Sequence, residues 1–247
     1  MFETELRCLE KTINAETNRM QAMTKRYFSK KTFDFLKQLE ENNNRDWFNE
    51  HKQYYEDLVR TPALDLIEDF EKPLHKFAPQ FNAIPNKVGG SLMRVYRDVR
   101  FSKDKTPYKI NIGIQFRHQM GKDVHAPGYY CHLANDGCFI AAGIWRPDNP
   151  SLQKIRELID EKPSVWKRAK KMGGGFELSG NSLVRPPKGF DKEHKLLEDL
   201  KRKSFIGIQA VSKRQMQSNN LPDWLGSEYR KATPMMKFLS KALGVPF

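Results

Sequence analysis

A chain of 247 residues with 38% hydrophobic content, 16 Phe and 4 Trp has enough apolar side chains to bury a sizeable core, so a globular fold is expected rather than disorder. No run of about 18 apolar residues occurs, so no transmembrane helix and no membrane partner are expected. The net charge of +13 is uneven: residues 1–86 carry 13 Lys and Arg against 15 Asp and Glu, while residues 87–247 carry 30 against 15. That excess points to an anionic partner, nucleic acid included, or to the solubilising role that surface lysine often has.

Cys8, Cys131 and Cys138 are odd in number and form no C-x-x-C pair, so neither a disulfide framework nor a zinc site is expected. The segment Met1–Lys25 lacks the apolar stretch of a signal peptide. Reduced thiols and a cytoplasmic location are the expectation. Gly173-Gly174-Gly175 is not followed by Lys-Ser or Lys-Thr, so it is not read as a phosphate loop, and no cofactor is expected.

Along the chain, Phe2, Leu6, Leu9, Ile13, Met20 and Met23 keep a 4-3 spacing broken at Glu16. This predicts an amphipathic helical extension over residues 1–27, able to self-associate through residues 2–23 or to pack on its own domain. Ser29 reads as the N-cap of a helix carrying Phe33, Leu36 and Leu39, which ends at Asn42-Asn43-Asn44. A second helix carries Trp47, Phe48, Tyr54, Tyr55 and Leu58, and Thr61-Pro62 reads as the cap and first residue of a third.

After Gly89-Gly90 the period changes from 3.6 to 2. Strands are predicted over Leu92–Phe101, Ile110–Arg117, Tyr129–Ala134 and Cys138–Trp145, the last two joined by a hairpin at Asn135-Asp136-Gly137. Helices over Pro150–Glu161 and around Trp166 follow, then a short strand at Phe176–Leu178, a helix near Lys192–Lys203, a strand at Phe205–Val211 and helices ending near Leu243. The class expected is α+β: a single domain over 28–247 in which N-terminal and C-terminal helices cover an antiparallel meander of at least four strands.

Three groups of residues carry a resemblance. They are Asn43-Asn44-Arg45-Asp46-Trp47-Phe48, the run Arg94-x-x-Arg97-Asp98-x-Arg100-Phe101-Ser102-x-Asp104-Lys105-Thr106-Pro107-Tyr108-Lys109, and Pro127-Gly128-Tyr129-Tyr130. With Arg185–Asp191 and Pro234–Leu239 they resemble the DUF2461 family of microbial and fungal proteins over about Phe28 to Leu243. The resemblance implies one domain and no particular activity.

The Arg94–Lys109 run is where chemistry is expected. Arg94, Arg100, Lys105, Tyr108 and Lys109 are the candidates for binding a phosphate-bearing small molecule, since Arg forks bind phosphate in a bidentate manner and Lys adds a point charge. Arg97, Asp98 and Asp104 are read as a structural ion-pair set tying strand to loop. Tyr96, Tyr108, Tyr130 and Trp145 are expected to form aromatic walls, as in stacking on a nucleotide or single-stranded nucleic acid, or else to be packing. Were the protein an enzyme, His132 and Asp98 would be its proton-transfer candidates. His118, Asp123 and His125 do not match a common metal spacing. A nucleic-acid module using the basic surface of 87–247 and a non-catalytic interaction protein are the alternative readings.

Overall fold

The computed structural model describes residues 25–121 and 127–247. The helix expected over residues 2–23, together with Asp123 and His125, lies outside the described residues.

Helix α1 (Lys30–Glu41) starts where Ser29 leaves extended backbone and donates its N–H to Thr32 Oγ1 at 3.1 Å. It buries Phe33, Phe35, Leu36 and Leu39 along one stripe and stops at the Asn42-Asn43-Asn44 turn. Asn44 then caps α2 (Arg45–Glu50), accepting from the Trp47 N–H at 3.0 Å.

A helix does begin at Thr61, with Pro62 in its first turn as the sequence reading has it, but Thr61 is not a cap in extended backbone, because the chain enters it already helical. Helix α3 (Lys52–Tyr55) passes through a π turn (Glu56–Arg60) into α4 (Thr61–His75), with Arg60 and Thr61 both in right-handed helical conformation. Pro62 lacks an N–H, and its ring would collide with the Leu58 carbonyl in an uninterrupted α-helix. The wider turn, in which the Thr61 N–H reaches Glu56 O five residues back, removes that conflict.

Strands β1 (Phe81–Asn82), β2 (Asn111–His118), β3 (Gly128–Ala134), β4 (Cys138–Ile144), β5 (Glu177–Ser179) and β6 (Phe205–Val211) form one antiparallel sheet in the order β1-β2-β3-β4-β6-β5. The architecture is α+β, with the expected meander running from β1 to β4. Its first member differs from the sequence reading, because Leu92–Phe101 is not a strand. That segment is an arm touching the sheet edge only at the Leu92–Ile114 bridge and at its own Tyr96–Tyr108 bridge. Phe101, which a strand would turn to the same side as the buried Val95, is 96% exposed. Asp98 and Asp104 draw the arm away by accepting the backbone N–H groups of Arg100 and Thr106 at 3.3 and 2.9 Å, local bonds that compete with a strand ladder.

The C-terminal half adds α5 (Asn149–Glu161), α6 (Pro163–Ala169), α7 (Leu197–Leu200), α8 (Lys213–Met216), α9 (Leu221–Arg230) and α10 (Thr233–Leu243). Helix α7 is shorter than the Lys192–Lys203 span suggests. The side chains of Asp191 and His194 accept from the Glu193 and Leu196 N–H groups at 2.8 and 3.1 Å, holding that stretch in turns. Helix α5 is capped by Asp148, which accepts from the Ser151 N–H at 3.0 Å.

One apolar cluster joins α1, α4 and α9 to the inward residues of β1–β4, with Phe70, Phe116, Tyr129 and Tyr229 packed ring against ring. A second surrounds Ile144 and Phe205 with side chains of α5, α6 and α10. Neither contains Tyr130, Phe139, Ala141, Ile206 or Ile208, which lie on the other face of the sheet. Among the described residues no helix is long and apolar enough to cross a membrane.

Candidate functional site

The arm is fixed to the helical layer at one place. Asn43 Nδ2 donates to Tyr108 O at 3.0 Å, and the Tyr108 N–H donates to Asn43 Oδ1 at 3.0 Å. Tyr108 stacks on Phe48 with ring centroids 4.0 Å apart and is buried. The next residue, Lys109, donates its backbone N–H to Val95 O at 2.7 Å. The Asn-rich turn and the Thr-Pro-Tyr-Lys end of the arm, far apart in sequence, therefore form one joint that sets the position of Lys109.

Beside this joint lies a cleft of about 610 Å³ whose lining includes Arg60, Lys87, Arg94, Lys109 and Arg117 together with Tyr55 and Tyr96. That volume is in the range of small-molecule sites. None of its lining residues is Asp or Glu, although Arg60 is paired with Glu56 just outside the lining at 2.5 Å. Among the described residues, the Lys109 ammonium has no ion-pair partner, and burial and the neighbouring Arg94 push its pKa below the ordinary lysine value. Lys87 is brought to the cleft by a loop closed on itself: the Ser91 N–H donates to Ile84 O at 2.8 Å, and the Ile84 N–H donates to Ser91 Oγ at 3.0 Å. Gly90 is needed there, since a Cβ would stand 2.5 Å from the carbonyl oxygens of Ile84 and Asn86.

Met93 and Gln115 line both this cleft and a second cavity, a trough of about 360 Å³ on the open face of the sheet. Its walls and floor are Tyr130, Phe139, Ala141, Trp145, Ile206 and Ile208. Gly113 matters to its shape: a Cβ there would lie 2.7 Å from Tyr130 Oη and 3.0 Å from Met93 Sδ, so both side chains occupy the space a larger residue would fill.

The cationic run of the arm thus divides. Arg94 and Lys109 face the cleft. Arg100 and Lys105 do not: the Arg100 guanidinium grips Asp98 at 2.7 and 2.9 Å, and Lys105 Nζ donates to Val99 O at 2.9 Å. Arg97 donates to Asp104 and to Thr106 Oγ1, closing the loop. The Arg100 bond holds the Asp98 pKa down to about 2, and the Arg97 bond does the same for Asp104. Of the expected aromatic walls, Tyr108 packs into the core with Phe48 and Tyr96 beside it, whereas Tyr130 and Trp145 line the trough. These four rings do not form one surface.

His132 lies on the open sheet face, with Nδ1 3.0 Å from Tyr130 Oη and its ring stacked on Phe139 at 4.5 Å. Burial lowers its pKa and raises that of Tyr130 to about 12. Asp98 lies in the exposed arm and is not bonded to His132. Among the described residues no group of three His, Cys, Asp or Glu side chains is placed to hold a metal ion.

Arg60, Lys87 and Arg117 were not among the sequence candidates. Arg117 had a visible signal, as a polar residue on the outward face of an alternating strand. Arg60 and Lys87 reach the cleft only through the π turn and the closed loop.

Residues 31–238 match the model of a family described as "Conserved hypothetical protein (DUF2461)". No curated protein and no solved structure matches the chain.

Proposed function

The chain belongs to the DUF2461 family, and for it we propose that the cleft beside the Asn43–Tyr108 joint binds a phosphate-bearing small molecule. The observation that carries this reading is Lys109: a half-buried ammonium beside Arg94, in a cleft lined by further cations and by no carboxylate. Holding like charges together in a partly desolvated place is unfavourable, and an anion seated among them relieves the cost. Arg94 and Arg117 provide planar forks suited to phosphate oxygens, and Lys87 and Lys109 add point charges.

The test is thermal unfolding with inorganic phosphate and simple phosphate monoesters at low and high salt. A ligand at about 100 times its Kd stabilises by about 2.7 kcal/mol. The expected result is a rise in Tm that persists at high salt and disappears in the double variant Arg94→Glu, Lys109→Glu, while Arg100→Ala retains it. A response that vanishes in salt and is matched by DNA or RNA of any sequence would instead support the nucleic-acid reading.

A further inference from the structure

Given that reading of the cleft, we propose that the bound phosphate belongs to an amphiphile: a phosphate monoester whose apolar tail lies across the open face of the sheet, in the trough. The strand register shows why the two cavities form one track. Two rows run across the strands, Gln115–Tyr130–Ala141–Ile208 and Arg117–Gly128–Gly143–Ile206. Each begins on β2 with a residue of the cationic cleft and ends on β6 with an isoleucine. Three interstrand spacings span about 14 Å. Charge therefore lies at one end of a track that is apolar along the rest of its length.

The outward face of an antiparallel sheet is ordinarily polar. Here β4 reads Cys-Phe-Ile-Ala-Ala-Gly-Ile, apolar on both faces, and β6 places Ile206 and Ile208 outward. Trp145, at the rim, is 53% exposed. The lining of the trough is poor in hydrogen-bonding side chains, although the same sheet face carries His132 on β3 and Glu177 on β5. The Gln115 amide oxygen already accepts from Arg117 Nε at 3.1 Å, and the Tyr130 hydroxyl is engaged with His132. The edges of a nucleobase would lose water there and gain few partners, whereas an alkyl or acyl chain loses nothing by leaving water. Continuity with the cations favours an occupant that carries an anionic group over a second copy of this chain.

Titration with inorganic phosphate, ethyl, hexyl and decyl phosphate, and adenosine monophosphate, each below its micellar concentration and followed by calorimetry and Trp145 emission, tests this. The expected result is affinity rising with chain length, roughly fourfold per buried methylene until the trough is filled. Ala141→Phe, which fills the trough, and Trp145→Ala, which removes its exposed rim, are each expected to flatten the chain-length dependence while leaving inorganic phosphate binding intact. Two variants guard against a folding defect in one. Phosphate binding that is independent of chain length overturns the amphiphile and leaves the cleft reading standing. Adenosine monophosphate binding more tightly than decyl phosphate overturns it in favour of a nucleotide, and a dimer that Ala141→Phe dissociates overturns it in favour of a second copy. No response to any phosphate overturns both readings.

Discussion

Asn43 and Tyr108 are 65 residues apart in sequence and exchange two hydrogen bonds of 3.0 Å, the side-chain amide of one matching the backbone donor and acceptor of the other. A short side chain in an interhelical turn thereby does what a β-ladder would otherwise do for the arm. Asn43→Ala leaves both Tyr108 backbone groups without partners beside a buried ring. It is expected to cost about 2–4 kcal/mol, a Tm loss of roughly 5–15 °C. Asn43→Asp keeps the acceptor but opposes an anionic oxygen to the Tyr108 carbonyl, so it is expected to destabilise as well. An unchanged Tm in both variants would show that the joint is not needed to hold the arm.

Phe48 forms the other half of the joint, stacked on Tyr108 and tilted against Tyr55 at 5.3 Å. Phe48→Ala is expected to cost about 3–5 kcal/mol in denaturant unfolding. Phe48→Leu, which keeps most of the volume, is expected to recover much of that loss.

Lys109 has a pKa depressed by burial and by Arg94, so its charged form is disfavoured in the folded chain. In the ligand-free protein at neutral pH, Lys109→Met is expected to be neutral or stabilising by less than about 1 kcal/mol, while weakening phosphate binding. Loss of stability together with unchanged binding would place the role of Lys109 in packing.

Burial of His132 lowers its pKa below the ordinary histidine value of about 6.5. The folded state therefore binds fewer protons than the unfolded state in that range, and the neutral ring contributes stability that is complete above about pH 6.5. This contribution is expected to be lost as pH falls from about 6.5 through the lower folded-state pKa. His132→Gln is expected to remove this part of the pH dependence of Tm. A profile identical to that of the parent protein would assign the acid sensitivity elsewhere. Titration of the His132 ring followed by NMR gives the folded pKa directly.

The loop that closes the arm depends on Arg97 and Asp104. Asp104→Asn is expected to leave global Tm within a degree or two, because the pair is exposed, yet to increase hydrogen exchange at the Thr106 amide. Slow exchange at Thr106 in that variant would show that the turn holds without the carboxylate.

Period and punctuation alone were enough to read α1, the β3–β4 hairpin, α5 and β6, because each is specified by side chains within its own span. Ser29, Asn135-Asp136-Gly137 and Asp148 act on neighbouring backbone, and the alternation of β2 and β3 matches a sheet with one face buried. The sequence also identified the Arg94–Lys109 run as unusual, since so many charges are costly to place near a core. What it could not reveal was how that run divides. Val95 and Phe101 have similar apolar character and the same strand phase, yet one is 7% exposed and the other 96%. The difference comes from Asp98 and Asp104, whose bonds turn the backbone, and from Asn43, which secures its return. Only the tertiary structure brought Arg60 from a helix, Lys87 from a loop and Arg117 from a strand to the same cleft as Arg94 and Lys109. Each of these cations follows its own local pattern. Their shared location comes from long-range packing, which residue spacing along the chain does not encode.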